Sequence, residues 1–239
     1  MNARYQTLRP DHILATIDKL HARIMARFAN AGLAQVCAEL EDTAKFSARD
    51  AARLSRPSYL WRAASLLLIA AGVAAQIAAF RYLRVENEGL SAPELVEGLE
   101  AAVNLLILFG GALWFILTLE ERSKRRRALD ALHRLRSLAH VIDMHQLTKD
   151  PTVVLDTHKR TDVSPERTMT QFELTRYLDY CAEMLAIIGK LGALYAERVR
   201  DSVVISAVNA IENLTAGLGR KIWQKITIIG ALEERRAGT

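Results

Sequence analysis

One cluster in this chain carries side chains of the kinds that bind metals or move protons: His140-Val-Ile-Asp143-Met-His145. Imidazoles and a carboxylate can share an ion or a proton only if they converge. On an α-helix His140 and Asp143 stand about 60° apart around the axis, whereas His145 is about 160° from Asp143. The three cannot meet on one metal while the helix persists, so the spacing predicts a polar cluster at a helix end. His133 and His140, seven residues apart, share a helix face and can titrate together as a pH-sensitive contact. No phosphate-cradling glycine loop, Gly-x-Ser-x-Gly elbow or Cys-x-x-Cys pair accompanies them. Gly189-Lys-Leu-Gly192 and Gly217-Leu-Gly219 fall inside helical patterns, where close packing explains them better than phosphate binding. Cys37 and Cys181 each stand alone within a helix-like pattern and read as reduced, buried small hydrophobes. The expectation is a non-enzymatic protein with no catalytic residue, metal or cofactor.

The second kind of chemistry is charge. Lys124, Arg125, Arg126 and Arg127 form a basic run, and Arg62 stands at a similar boundary earlier in the chain. Such residues can hold anionic lipid headgroups at about 1 kcal/mol each near a membrane surface. The 239 residues carry a net charge of +5. That excess does not point to nucleic acid, because no recognised fold or basic-aromatic surface goes with it. Instead it gathers beside two uncharged stretches, Ala63 to Phe80 and Ala101 to Leu119. At 1.5 Å per helical residue these reach roughly 27 and 28 Å, close to the ~30 Å hydrocarbon thickness of a bilayer. Both can span a membrane.

Lysine and arginine near a crossing stay on the cytoplasmic side, while acidic residues contribute little to orientation. Lys45, Arg49, Arg53, Arg56 and Arg62 precede the first stretch; Arg122, Lys124, Arg125, Arg126, Arg127, Arg134 and Arg136 follow the second. Only Arg81 and Arg84 lie between them. This asymmetry predicts a two-pass protein of the cell's inner (plasma) membrane with both termini cytoplasmic. Its spans cover about 61–83 and 99–120, joined by a short outer loop over 84–98. Tyr59, Trp61 and Tyr82 suit the interfacial belt. Ser91-Ala-Pro-Glu94 reads as a capping box that starts the second helix near residue 92, outside the membrane.

Within the spans, Ala70, Ala74 and Ala78 form a ridge of small residues, with Ala71, Ala75 and Ala79 beside it. Small residues let helices approach closely in lipid, where apolar burial cannot drive association. Gly110 and Gly111 offer a groove on the second helix. Gln76 and Asn104 fall at similar depth, which predicts a hydrogen bond between them, either within one hairpin or across neighbouring subunits.

The rest of the chain has helical periodicity and little β-branched alternation, so the fold class is all-α: a two-helix transmembrane hairpin with a cytoplasmic helical bundle of long antiparallel helices. Residues 1–56 hold two amphipathic helices, one with Ile13, Leu14, Ile17, Leu20, Ile24 and Phe28, the next with Leu33, Val36, Cys37 and Leu40, broken at Asn30-Ala-Gly32. Residues 57–120 form the hairpin. Residues 121–239 form a cytoplasmic helical domain. The second span is expected to run on as one helix to about Gln146. Thr148 to Thr168 loses periodicity and reads as the longest loop. Thr170-Gln-Phe-Glu173 is a capping box opening a helix with Tyr177, Leu178, Cys181, Met184, Leu185, Ile188, Leu191 and Tyr195 on one stripe. A last helix follows a turn near 199–202, with Val204, Val208, Ile211, Leu214, Leu218, Ile222, Ile226 and Ile229 spaced as in a bundle seam.

In its layout this chain resembles the small bacterial two-span effectors that accompany nucleotide-signalling defence systems, a resemblance that implies a membrane-acting effector. The residues themselves point to a membrane module whose cytoplasmic bundle self-assembles or binds a partner as a scaffold or signal-coupled unit. The alternative is an oligomeric pore-forming or membrane-disrupting effector gated from the cytoplasm. The expected partners are the lipid bilayer, further copies of the chain and a cytoplasmic protein; nucleic acid is not among them.

Overall fold

The computed structural model describes residues 7–54, 59–86, 92–149, 151 and 169–237. Among them the chain is all-helical, with no strand. Its helices are α1 (Pro10–Phe28), α2 (Gly32–Leu54), α3 (Tyr59–Glu86), α4 (Ala92–Leu147), α5 (Gln171–Arg198) and α6 (Ser202–Ala237). The chain divides into two compact units, one of Arg56–Arg126 and one that joins Met1–Ser55 to Arg127–Thr239. Of the segments read from sequence, Arg56-Pro57-Ser58, Ser91 of the capping motif and residues 152–168 of the long loop lie outside the described residues.

The boundaries follow local chemistry. α1 opens on Pro10, whose missing N–H is no loss in a first turn, with Asp11 beside it. It ends at Phe28, where the Ala31 N–H turns back to the Phe28 carbonyl at 2.9 Å, and α2 starts at Gly32. At Thr170 the capping box is complete. The Thr170 hydroxyl accepts from the Glu173 N–H at 3.2 Å, and the Glu173 carboxylate accepts from the Thr170 N–H at 2.7 Å. α5 closes where the Val199 N–H donates to the Tyr195 carbonyl. Two residues later the Asp201 carboxylate accepts from the N–H groups of Val203 and Val204, at 2.9 and 3.2 Å, and so starts α6.

In the larger unit α1, α2, the last part of α4, α5 and α6 surround one core. α5 is its centre. It runs antiparallel to α1, with Leu8 bonded to Glu197, Arg23 paired with Glu183, and the Phe28 ring edge-on to Tyr177 and Tyr180. It runs antiparallel to α6 as well: Gly192 lies against Ile211 and Gly189 against Thr215, so these two glycines make room for a neighbouring helix. Tyr195 reaches Asp50 of α2. The stripe expected on α5 is buried throughout, and Tyr180, Ile187 and Leu194 are buried on other faces too. A helix buried on several sides is a core helix, covered here by helices on each flank.

In the smaller unit α3 and the first part of α4 lie side by side. A seam of partly buried residues runs along α3 through Trp61, Ser65, Leu68, Gly72 and Ala75, and along α4 through Ala102, Leu105, Phe109, Ala112 and Ile116. Alternating steps of three and four residues keep one face toward the partner helix. Gly72 meets Phe109, and Leu68, Gln76, Leu105 and Leu113 line the groove beside the seam; the short connection from Glu86 to Ala92 cannot run back along a whole helix, so the pair is antiparallel.

Candidate functional site

Two features of the chain carry side chains whose placement bears on function: the apolar pair α3/α4, and a polar cluster where α4 ends. Both helices of the pair are long and apolar enough to cross a membrane, and the most apolar window of each has no residue buried inside the structure. Leu67, Leu106 and Trp114 are 73%, 73% and 74% exposed. Two hydroxyls within the pair are satisfied locally. Ser65 donates to the Trp61 carbonyl at 2.9 Å and Thr118 to the Trp114 carbonyl at 2.8 Å, which spares them any need of water.

The seam does not use the ridge of Ala70, Ala74 and Ala78, and of the ridge beside it Ala75 lies on the seam. Gly72, which nothing in the residue pattern singled out, lies against Phe109: a Cβ added there would lie 3.0 Å from Phe109 Cγ. The Phe109 ring packs into the space that the missing side chain of Gly72 leaves, and any Cβ there would push the ring back by a few tenths of an ångström. Ala70 and Ala74 stand two positions either side of Gly72, about 160° around the helix, so both face away, and Ala78 is exposed as well. Gly110 and Gly111 are exposed, with nothing within 4 Å of an added Cβ. Gln76 lines the groove beside the seam together with Leu106 and Gly110. Asn104 is exposed on α4 and does not line that groove. The structure does not bring the two amides together, and among the described residues neither has a hydrogen-bond partner.

Of the basic residues, Lys124 pairs with Glu120 one turn earlier at 2.7 Å. Arg62, Arg126 and Arg127 are exposed, Arg125 is half-buried, and its interactions engage it within the chain.

At the end of α4 the four polar residues separate. His133 and His140 are exposed; Asp143 and His145 are half-buried and turn to different partners. Asp143 accepts from the Gln146 amide at 2.5 Å. His145 Nδ1 lies 3.4 Å from the Tyr177 hydroxyl, and its ring fills the space above Gly32, where an added Cβ would come within 2.8 Å. Among the described residues no three His, Cys, Asp or Glu side chains are placed to hold a metal ion. The residue that organises this end is Gln146. It is buried, and Lys225 of α6 donates to both its backbone carbonyl at 2.9 Å and its side-chain oxygen at 2.6 Å. Its signal was present in the pattern, since 146 continues the spacing of Leu132, Leu135, Ala139 and Ile142. A polar residue in an apolar stripe asks for a buried partner.

Beside this cluster opens a cavity of about 730 Å³ where α1 and α4 end and α5 begins, lined among others by Arg27, Asn30, His145, Lys149 and Tyr177. Lys149 lies 5.3 Å from the centre of the Tyr177 ring. Burial pushes the Tyr177 phenol above its ordinary range. Glu173, on the same rim, is held below the usual carboxylate range by hydrogen bonds from Thr170, chiefly from its backbone N–H. Among the described residues Arg27 and Lys149 face Glu173 across the cavity's rim, so its charged lining carries one positive charge in excess. Nearby, burial raises the Cys181 thiol to about 12 despite the opposing charges of Lys225 and Lys149.

The fold and these two features define a class: an all-helical protein that joins a five-helix bundle to a pair of long, exposed apolar helices. Comparison with protein-family models, with curated proteins and with solved structures finds no match to this chain.

Proposed function

We propose that this chain is a two-pass integral protein of the inner (plasma) membrane, with both termini in the cytoplasm, whose helical bundle mediates self-assembly or the binding of a protein partner as a scaffold or signal-coupled membrane module. The observation that carries the reading is the make-up of the bundle core. α1 and α2, which precede the apolar pair, pack on α5, which follows it and carries α6 in turn. Both flanks of the pair therefore belong on one side of any membrane it enters, which requires an even number of crossings. α3 and α4 supply two helices of spanning length. Nor does α3 suit a removable leader, since cleavage there would take Ile17, Leu20 and Leu40 out of the core. The surplus of lysine and arginine on the bundle side of the pair selects the cytoplasm for that side. Arg62, Arg126 and Arg127 are then available to headgroups. Trp223 and Met144, 60% and 64% exposed on the bundle, offer apolar surface to a partner.

Fractionation tests the reading. The protein should sediment with membranes, resist alkaline extraction, and carry a fluorescent cytoplasmic reporter at Thr239; recovery in the soluble fraction overturns it. The amides of Gln76 and Asn104, which have no partner among the described residues, favour a second reading, in which the assembled spans form a pore gated from the cytoplasm. Ion flux from liposomes holding the purified protein supports that reading, and tight liposomes in the presence of cytosolic extract remove it.

A further inference from the structure

We propose that copies of this chain join head to tail in a closed ring, the Gln76 side chain of each copy hydrogen-bonding Asn104 of the next. This rests on the two-pass reading above and specifies how the spans assemble. In hydrocarbon an amide has no water to bond, so a side-chain amide that faces outward needs a protein partner. Gln76 and Asn104 are both exposed, and neither has a hydrogen-bond partner among the described residues.

Three geometric facts select the partner. First, the amides lie on opposite edges of the helix pair. Gln76 lines the groove with Leu106, and Asn104, two residues before Leu106, stands about 160° around α4 from it. Second, they lie level. The contact of Gly72 with Phe109 fixes the antiparallel register, which sets Gln76 opposite Leu105 and hence within about one helical turn, ~5.4 Å, of Asn104 in height. Third, both edges permit close approach. Gly110 lies in the groove of about 350 Å³ beside Gln76, and Gly111 stands on the Asn104 edge, seven positions along the same face; neither has an atom within 4 Å of an added Cβ.

Copies arranged around an axis normal to the membrane all sit at the same height. In such a ring one edge of each copy meets the opposite edge of the next, so level amides on opposite edges come together at every contact. A two-fold dimer would instead set Gln76 against Gln76 and leave Asn104 in lipid. The same geometry forbids the pairing inside one chain.

Oxidative crosslinking in isolated membranes tests this. The variant Gln76→Cys/Asn104→Cys, treated with a membrane-permeant copper oxidant, should give a ladder of covalent species that extends past the dimer. Each single variant and the native protein, whose Cys37 and Cys181 are buried, should remain monomeric on the gel. A Gln76→Cys variant that dimerises as well as the double overturns the ring in favour of a two-fold contact. A double variant that stays uncrosslinked, while the detergent-solubilised protein has the mass of an oligomer, overturns the pairing and leaves the proposed function standing. A monomeric mass removes self-assembly itself. A mutant cycle adds an independent reading: Gln76→Leu or Asn104→Leu alone should weaken assembly about threefold per contact, and the double no more than either single. Additive losses overturn the pairing.

Discussion

At the scale of single residues, Gly72 is where one side chain decides whether two helices meet. The space above it belongs to the Phe109 ring, 3.0 Å from where a Cβ would begin. Gly72→Ile should overpack the seam and destabilise the pair by about 1–3 kcal/mol, lowering the melting temperature of the solubilised protein, and Phe109→Ala in the same chain should recover part of the loss. The two cysteines give a second test. Burial pushes both thiols up to about 12, so almost no thiolate exists at neutral pH and neither sulfur is open to reagent. Native protein should leave both unmodified by a maleimide, and both should label once denatured; rapid labelling of the native protein would contradict the packing. The residue pattern identified Cys37 and Cys181 as buried because their neighbours are apolar at helical spacing. It passed over Gly72, because a glycine in an apolar run announces nothing until the residue opposite is known.

At the scale of elements, capping and ion pairs set where helices start and how they pair. Asp201 holds the first N–H groups of α6, and Asp201→Ala should cost about 1 kcal/mol, seen as a melting temperature a few degrees lower in the bundle. Glu41 of α2 binds Lys45 on its own helix and His21 of α1, and hydrogen bonds from Lys45 first and His21 second hold its carboxyl below the ordinary value of 4.5. A depressed carboxylate contributes stability that is fully present above its unfolded value and is lost as the pH falls through the folded one. Glu41→Gln should therefore destabilise the bundle at pH 7, and the gap between the two proteins should shrink as the pH drops from about 5 to 3. A gap that stays constant over that range rules out the ion pair as its source. Helix boundaries were legible in the residues wherever a cap or a break is local: Thr170 with Glu173, Asn30-Ala-Gly32, and the turn after Arg198. The His140, Asp143 and His145 cluster was legible as a helix end. The partner of His145 was not, because Tyr177 is 32 residues away, nor was that of the neighbouring Gln146, because Lys225 is 79 away.

At the scale of the whole molecule, the bundle depends on helices from both ends of the chain. α1 and α2 cover α5 through Ile17, Ile24, Leu33 and Leu40. A chain that lacks Met1–Ser55 should expose the buried face of α5 and aggregate when expressed, whereas the intact chain should unfold its bundle in one cooperative transition. A soluble, cooperatively folding truncation would show that the two ends fold independently.

What the amino-acid order determined by itself was everything governed by neighbours along the chain: helix content, helix ends, the two spanning-length apolar runs and the charge difference across them, since period, capping and hydropathy are local quantities. Tertiary structure decided what depends on residues distant in sequence. It set Gly72 against Phe109 on the seam and turned Ala70, Ala74 and Ala78 away from it, buried α5 on several faces, and gave Gln146 its lysine. It also set Gln76 and Asn104 on opposite edges at one height. That choice turns on the register between two helices, which ring size and side-chain volume fix only once the helices are side by side.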